Sequence, residues 1–328
     1  MRSKQRILQG ALALVLVPIF LVAFGASVQA QGAWKAGKPK VAIVVKTITG
    51  DVFQKLWAEA ARDESIRLGG EATIHVAGGQ TAVTEMVNIL EDLIAKKVDI
   101  IIISPLDSKA ADPLFAKAKA QGTVIVCVDQ KGENPANYLT FISIDNYKAG
   151  TIAGKYAAKL LGGKGKVLIV EGAPGSSVGD DRRDGFAAGV TAGTQIRIAG
   201  SQTGKWSNDE AFKVTQNMLQ AVPDADLVYT CSDVMVNGAL QAIKLAGKEG
   251  KVKVVSFDGS KMGIGLIKQG NVMATMAQYP FLEGNLGAEI GMAVWRGVMK
   301  AQYIPKFIDT GTELIMKENA DEAILNSF

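Results

Sequence analysis

The fold class of this 328-residue chain is decided by one stretch, Val124-Ile125-Val126-Cys127-Val128-Asp129-Gln130. Its apolar positions follow one another without polar alternation, which predicts a strand covered on both faces, as in a parallel sheet. Ligands of open parallel sheets bind just beyond the carboxyl ends of the strands, and Asp129 stands at such an end. The same design returns in residues 252–259, where Asp258 follows a second apolar run. We therefore predict two sheets, each of which offers one carboxylate to a shared crevice.

Strands and helices alternate along the chain, which predicts an α/β protein with doubly wound parallel sheets. The predicted strands cover residues 41–45, 72–76, 99–103, 124–128, 167–170, 195–198, 227–229, 252–257 and 272–277. The predicted helices cover residues 51–68, 81–96, 107–120, 182–191, 209–219, 234–246, 262–268 and 281–300. We expect Thr81 to open a capping box at the start of the second helix.

The late elements suit a chain that crosses between two lobes more than once. After the strand over 272–277 come a long helix and then an extended stretch over 307–315. We therefore predict discontinuous lobes. The first lobe would comprise residues 38–144 plus 279–309, and the second residues 145–278 plus 310–328.

Residues 1–30 have the pattern of a secretory signal peptide. Three basic residues within the first six positions precede an apolar run over 11–24, and small residues occupy positions −3 and −1 before Gln31. This pattern predicts cleavage before Gln31 and export to the periplasm. The alternative is an N-terminal membrane anchor, for which the apolar run is short, since a membrane span needs about 20 residues.

The charge of the predicted mature chain argues against a nucleic-acid partner. Residues 1–30 contain three cations and no acids, so their removal lowers the formal net charge from +4 to +1. A near-neutral chain lacks the electrostatic footprint of nucleic-acid binding. The two cysteines, Cys127 and Cys231, could pair in an exported protein. Each lies in an apolar strand of a different half, so we favour two buried, unpaired thiols.

The residues offer little for catalysis, metals or cofactors. His75 is the only histidine, which excludes a His-rich metal site or a Ser-His-Asp triad, and we expect it to make a local hydrogen bond in its strand. The glycine-lysine stretches at 150–155 and 200–206 lack the spacing of a phosphate loop. Two carboxylates across a cleft could serve glycoside hydrolysis, but nothing in the sequence fixes one raised and one ionised carboxyl. We predict no catalytic residue, no metal ligand and no cofactor.

A set of polar and aromatic residues near strand ends suits a neutral, hydroxyl-rich ligand with one C–H face. Carboxylates accept hydrogen bonds from hydroxyl groups, an arginine offers a rigid fork of donors, an amide does both, and aromatic rings cover an apolar face. The residues are Phe53, Asp129, Arg182, Trp206, Asp258 and Gln278. Simpler roles remain open for some of them: Asp129 in a turn, Asp258 as a helix cap, and Arg182 in a solvated ion-pair cluster.

Seven motifs, in this order and spacing, resemble the ribose/allose-type periplasmic binding proteins, the type I solute-binding components of bacterial ABC sugar importers. The resemblance extends over essentially the whole mature chain. The motifs are Val44-Val45-Lys46-Thr47 leading to Phe53, Ile102-Ile103-Ser104-Pro105-Leu106-Asp107, Val128-Asp129, Ile144-Asp145-Asn146, Arg182-Arg183-Asp184-Gly185-Phe186, Ser256-Phe257-Asp258-Gly259 and Ala274-Thr275-Met276-Ala277-Gln278-Tyr279-Pro280.

The resemblance implies two α/β lobes, joined by a three-crossing hinge, that close on one monosaccharide. Position by position, it implies contacts from Phe53 and Asp129 in the first lobe and from Gln278 at a crossing. Arg182, Trp206 and Asp258 would contact the ligand from the second lobe, as would Ser232, whose other role is to cap a helix. Lys46 matches a ligand-facing lysine of the allose-binding branch. The implied protein is a monomer whose partners are a sugar and an ABC permease in the inner membrane.

Three departures leave the ligand open. The family often has Asn-Pro followed by two aromatic residues where this chain has Gly50-Asp51-Val52-Phe53. Ser232-Asp233 replaces an Asn-Asp pair, and Gln130 replaces the arginine of ribose binders. A different pentose or hexose, or an open-chain polyol, therefore fits as well as ribose or allose.

Other functional classes share this fold or these ligands. A transcription regulator would need DNA-binding helices where the signal peptide stands, and a hydrolase would turn over a glycoside. A ligand-sensing subunit for chemotaxis or for a sensor kinase would bind the same sugars.

Overall fold

The computed structural model describes residues 35–328, so the predicted signal peptide over residues 1–30 lies outside the described residues. Within 35–328, no helix combines the length and the apolar content that a membrane crossing requires. The described residues belong to one compact unit.

Twelve strands and ten helices alternate along the described chain. The strands are β1 (Lys40–Val45), β2 (Glu71–Val76), β3 (Ile100–Ile103), β4 (Val124–Val128), β5 (Thr140–Ser143), β6 (Lys164–Glu171), β7 (Gln195–Thr203), β8 (Leu227–Thr230), β9 (Lys253–Val255), β10 (Ala274–Met276), β11 (Phe307–Asp309) and β12 (Leu314–Met316). The helices are α1 (Val52–Arg67), α2 (Val83–Ala95), α3 (Ser108–Ala120), α4 (Asn146–Leu160), α5 (Ser177–Thr191), α6 (Asn208–Ala221), α7 (Val236–Leu245), α8 (Lys261–Lys268), α9 (Pro280–Trp295) and α10 (Ala320–Ala323).

The strands form two six-stranded sheets, which confirms the predicted fold class. The strand order is β11-β5-β4-β3-β1-β2 in the first sheet and β12-β10-β9-β8-β6-β7 in the second. Neighbouring strands run parallel, apart from the antiparallel pair β10–β12. The chain passes between the sheets three times: after β5, after β10 and after β11. The predicted lobe boundaries fall in these connections and stay a prediction.

The deciding strand is buried on both faces, as its unbroken apolar sequence predicts. In β4, Val126 and Val128 pack in the cluster that also contains Trp57 of α1. Ile125 and Cys127 pack in a different cluster on the opposite face, with Phe115 of α3. Because successive strand residues point to opposite faces, a strand between two helix layers needs apolar residues at every position.

Three elements were not predicted from the sequence: β5, α4 and the short α10. Helix α4 reads Asn-Tyr-Lys-Ala-Gly-Thr-Ile-Ala-Gly-Lys-Tyr-Ala-Ala-Lys-Leu, so small residues take the place of a stripe of large apolar side chains. Its burial comes from close packing on α5 instead. A Cβ atom at Gly154 would lie 2.3 Å from the carbonyl oxygen of Phe186, so only glycine permits this approach.

Three smaller expectations can be compared directly. The predicted capping box at Thr81 is wrong, because α2 begins at Val83 and its N-cap residue Ala82 offers no side-chain hydrogen bond. His75 makes the expected local hydrogen bond, 2.9 Å between its Nε2 and the hydroxyl of Thr73. Cys127 and Cys231 are buried and unpaired within the described part of the chain, as predicted.

Candidate functional site

All eight residues predicted to bind ligand line one cavity between the two sheets. They are Lys46, Phe53, Asp129, Arg182, Trp206, Ser232, Asp258 and Gln278. Most follow the carboxyl end of a strand, because parallel strands place these ends at one edge of a sheet. The structure thus brings every predicted residue together, and their role in binding stays a prediction.

The cavity is narrow in this conformation. It has room for water-sized molecules over about 30 Å³, which is enough for about two waters. It shares the residues Asp51, Phe53, Gln80, Trp206 and Asp258 with a wider groove of about 1150 Å³. The narrow cavity by itself has no room for a molecule the size of a sugar.

Asp129 forms the acceptor centre of the first lobe. Its Oδ2 atom accepts hydrogen bonds from Lys46 Nζ (2.8 Å), Gln54 Nε2 (2.9 Å) and Ser104 Oγ (2.7 Å). Burial by itself would raise the pKa of Asp129, but the ammonium of Lys46 and the hydroxyl of Ser104 outweigh it, so the pKa lies below its ordinary value. From residues 35–328, no hydrogen bond reaches Oδ1, which leaves an ionised oxygen for a ligand hydroxyl.

Asp258 organises the second lobe rather than offering an open oxygen. Its Oδ1 accepts from Arg182 Nη1 (2.9 Å) and Gln278 Nε2 (2.6 Å). Its Oδ2 accepts from Ser232 Oγ (2.6 Å) and the backbone N–H of Asp233 (3.0 Å). A carboxylate has about four acceptor sites, so these four donors fill it. Asp258 therefore fixes the arginine and the amide in place and has no acceptor site left over.

Arg182 is buried and fixed in orientation, which rules out the solvated ion-pair cluster. Its Nε donates to Asn146 Oδ1 (2.8 Å) and its Nη1 also donates to the carbonyl of Cys231 (2.9 Å). The guanidinium carbon lies 3.8 Å from the ring centre of Phe257 and 5.9 Å from that of Trp206. Within the described chain, Nη2 makes no hydrogen bond, so its two N–H groups are open to a ligand.

Two amide oxygens lack partners at the cavity. Oε1 of Gln278 and Oε1 of Gln80 are buried without a hydrogen bond from any described residue. Leaving a buried acceptor unpaired costs about 1–3 kcal/mol, and buried polar groups are nearly always satisfied. A hydroxyl-bearing ligand would supply the missing donors.

The backbone at the site is constrained. Asp129, Trp206 and Asp258 have φ angles of 64°, 54° and 117°, in the half of φ space that residues with a Cβ rarely adopt. Each such conformation costs on the order of 1–3 kcal/mol and persists only where the surrounding structure imposes it. The fold thus imposes the positions of both carboxylates and of one aromatic ring.

Sequence reasoning missed three polar residues that line the cavity and one aromatic residue that packs beside it. Gln54 and Gln80 line it, and Asp51 does so as N-cap of α1 while accepting from Gln80 Nε2 (2.6 Å). Burial, with smaller contributions from the other carboxylates, raises the pKa of Asp51 to about 6. Phe328 packs edge-to-face against Phe53 at 5.7 Å between ring centres. The carboxyl-end rule could have found Gln80, which follows β2, whereas nothing in the local sequence points to Phe328.

The charges in the cavity nearly cancel. Lys46 pairs with Asp129 and Arg182 pairs with Asp258, and all four side chains are buried. Asp51 adds a further carboxyl group, which carries a negative charge at neutral pH. Residues 35–328 contain no cluster of His, Cys, Asp and Glu suited to a metal ion. This balance suits a neutral ligand and disfavours an anionic one.

Comparisons with known proteins agree with this geometry. Residues 41–298 match the family described as "Periplasmic binding protein domain". The Ribose import binding protein RbsB of Salmonella typhimurium is 32% identical over 84% of this chain and 90% of its own length. The Xylitol-binding protein of Mycolicibacterium smegmatis is 30% identical over 72% of this chain and 66% of its own length.

A solved structure shares the fold along its whole length. The periplasmic solute binding protein of an ABC transporter from Actinobacillus succinogenes, with bound D-allose, superposes with a TM-score of 0.78 at 29% identity, over 87% of this chain and all of that one. These relatives are binding proteins and not enzymes. The resemblance inferred from the seven motifs is confirmed, and the chain belongs to the periplasmic binding protein domain family.

Proposed function

We propose that this protein is the solute-binding component of an ABC transporter, which binds a neutral monosaccharide or a related polyol between its lobes. One observation carries the proposal: the predicted site residues converge on one cavity and leave specific atoms open. Those atoms are Oδ1 of Asp129, Nη2 of Arg182 and Oε1 of Gln278.

The open atoms match the ability of a hydroxyl group both to donate and to accept a hydrogen bond. A hydroxyl donates to the Asp129 oxygen or to the Gln278 amide oxygen, and accepts from the Arg182 N–H groups. Hydrogen bonds to ionised groups are stronger than neutral ones. An analogue that lacks one hydroxyl leaves a buried protein group unpaired, so the site discriminates between sugars that differ at one carbon.

Aromatic rings supply the complementary apolar surface. Phe53 on α1 and Trp206 just before α6 come from opposite lobes and both line the cavity. The C–H face of a sugar ring or the carbon chain of a polyol would pack against them. Since one of the family's aromatic positions is Val52 here, the first lobe offers less ring surface than the ribose-type pattern.

The names of the relatives support a pentose, a hexose or an alditol. One is named for ribose and one for xylitol, and a solved relative holds D-allose. Xylitol is an open-chain polyol, so relatives that resemble this chain bind both ring and chain forms of polyhydroxylated ligands.

Hinge motion follows from the size of the cavity. Because its present volume admits about two waters, we infer that the lobes open at the three connections, admit the ligand and close again. In this cycle the protein works as a periplasmic monomer, and its closed form meets a permease in the inner membrane. The near-neutral net charge supports the prediction that it has no nucleic-acid partner.

A thermal-shift screen of the chain from Gln31 onward tests the proposal. The panel contains pentoses, hexoses, deoxy sugars and alditols. A ligand at a hundred times its dissociation constant adds about 2.7 kcal/mol to the free energy of unfolding, enough to raise Tm by several degrees. We expect one stereochemical series to shift Tm while its epimers do not. If no compound of the panel shifts the Tm of folded protein that is free of co-purified ligand, the proposed ligand class is refuted.

A further inference from the structure

Gln130 follows the site carboxylate Asp129 directly, yet it is not among the residues that line the cavity. Its side chain is fully buried. It lies instead where the loop after β4 in the first lobe meets the loop before α5 in the second. A buried amide must satisfy one acceptor and two donor hydrogens, so its partners show what it does.

The partners of Gln130 come equally from both lobes. Its Oε1 accepts from Ser176 Oγ of the second lobe (2.9 Å) and from Lys46 Nζ of the first (3.4 Å). Its Nε2 donates to the carbonyls of Gly175 in the second lobe and Leu106 in the first, both at 3.4 Å. The amide is therefore shared between the lobes, and lobe opening would break half of its hydrogen bonds.

These contacts connect the two halves of the ligand site. On one side, Lys46 donates to Asp129. On the other, Ser176 is the N-cap residue of α5 and accepts from the backbone N–H of Gly179. Arg182 lies on the same helix and donates to Asp258. A continuous chain of hydrogen bonds and one helix thus runs from one site carboxylate to the other.

We propose that Gln130 is a positioning residue for ligand binding, which ties Lys46 in the first lobe to the start of α5 in the second. Because of these hydrogen bonds, closure of the lobes also aligns the Lys46–Asp129 pair with the Arg182–Asp258 pair. The inference rests on the proposed function, since it assigns Gln130 a role in forming that site.

The neighbouring pair Lys131–Asp181 provides a matched control. It also joins the two lobes, at 3.3 Å, but its side chains are 43% and 40% exposed. Exposed ion pairs contribute little because water and salt screen them. If every contact between the lobes favoured closure equally, Lys131→Ala would change the interlobe distance as much as Gln130→Ala.

The first test needs no ligand. Spin labels at Glu91→Cys on α2 and Gln241→Cys on α7, both exposed positions, report the distance between the lobes by double electron–electron resonance. We expect Gln130→Ala to lower the ratio of the short-distance to the long-distance population at least about fivefold, the effect of losing one typical net hydrogen bond, since it removes both interlobe bonds of Gln130. Lys131→Ala should leave this ratio within about twofold of the parent value. An unchanged distribution for Gln130→Ala, or an equal change for Lys131→Ala, would overturn the proposal.

The second test is a double-mutant cycle on ligand dissociation, with the sugar that gives the largest thermal shift. Gln130→Ala and Ser176→Ala should each raise koff about fivefold with kon nearly unchanged. The double variant should raise koff by clearly less than the product of the two single effects, because both changes remove the bond between Gln130 and Ser176. If the two changes acted independently, koff of the double variant would rise about 25-fold, and this result would contradict the proposed bridge. If Gln130→Ala does not fold, Ser176→Ala takes its place in the distance measurement, and the rise of koff in Ser176→Ala alone replaces the cycle.

The two tests separate this inference from the proposed function. A shift in the ligand-free distances with no sugar bound would refute the ligand class and uphold the bridge. Sugar binding with unchanged distances and multiplicative effects on koff would uphold the function and refute the bridge.

Discussion

Replacing Asp129 by asparagine removes the charge of the first-lobe acceptor centre while keeping its shape. Three donors reach Oδ2, and none of the residues 35–328 donates to Oδ1. A hydrogen bond from a ligand to a charged group contributes about 1.5–3 kcal/mol. At tenfold per 1.4 kcal/mol, Asp129→Asn should raise the dissociation constant about 10- to 150-fold, as measured by isothermal titration calorimetry at pH 7.

The same change affects the fold, and the assay must account for it. Lys46 loses its buried counter-charge, and breaking such a pair destabilises proteins by about 3–5 kcal/mol. Calorimetry therefore belongs at a temperature where the thermal unfolding curve shows the variant fully folded.

Asp112→Asn is the matched control for Asp129→Asn. Asp112 lies on α3 and accepts from the backbone N–H of Asn134 (3.1 Å) and from Asn137 Nδ2 (3.0 Å), away from the cavity. Its asparagine variant keeps an oxygen for both donors, so affinity should stay unchanged. A folded Asp129→Asn variant that binds within threefold of the parent would refute the assignment of Oδ1 as a ligand acceptor.

Three further predictions follow from the site. Because burial raises the pKa of Asp51 from 3.8 to about 6, its protonated form stabilises the fold below pH 4, and this contribution is lost as the pH rises through 6. Asp51→Asn should make that decline shallower in unfolding free energies measured by chemical denaturation. The part that comes from Asp233, whose pKa burial raises to about 7, should remain. Gly172→Ala would place a Cβ 2.1 Å from the ring of Trp206. The displaced ring should weaken binding by about 1–3 kcal/mol in calorimetry, taking base–aromatic stacking as the scale. Phe328→Ala removes the edge-to-face partner of Phe53, worth about 0.5–1.5 kcal/mol, and should weaken binding about two- to tenfold.

Each of these predictions has a contrary outcome. A decline in stability between pH 4 and 6 that is as steep in Asp51→Asn as in the parent would mean that Asp51 does not titrate there. For the glycine variant the control is Gly265→Ala on α8, where a Cβ meets no atom within 4 Å. This change should leave affinity unchanged and add about 0.5–1 kcal/mol to stability. Equal affinities for Gly172→Ala and Gly265→Ala, or full affinity in Phe328→Ala, would place those aromatic contacts outside the ligand site.

Local patterns in the sequence were sufficient for the fold class and for much of the site. The unbroken apolar run of β4 predicts burial on both faces, because strand side chains alternate and a doubly covered sheet leaves no polar position. The carboxyl-end rule then indicates Asp129 and Asp258, since every parallel strand in a sheet ends at the same edge. Both inferences use only near neighbours along the chain.

Helix α4 shows where such patterns fail. Its small residues give no apolar stripe, and its burial depends on α5, which lies beyond the next strand. The same limit applies to Phe328, whose ring meets Phe53 from the far end of the sequence. No local rule relates two such positions.

The sequence by itself determined the two parallel sheets and the residues at their edge, because a period of two and the order of elements are properties of the chain. Only the tertiary structure decided which atoms of those residues stay open. Asp129 keeps a free oxygen while Asp258 is filled by four donors. It also placed the side chain of Gln130 against Ser176 of the second lobe and outside the lining of the cavity. The physical reason is that hydrogen bonds are short and directional, so their partners depend on how the chain crosses between the lobes.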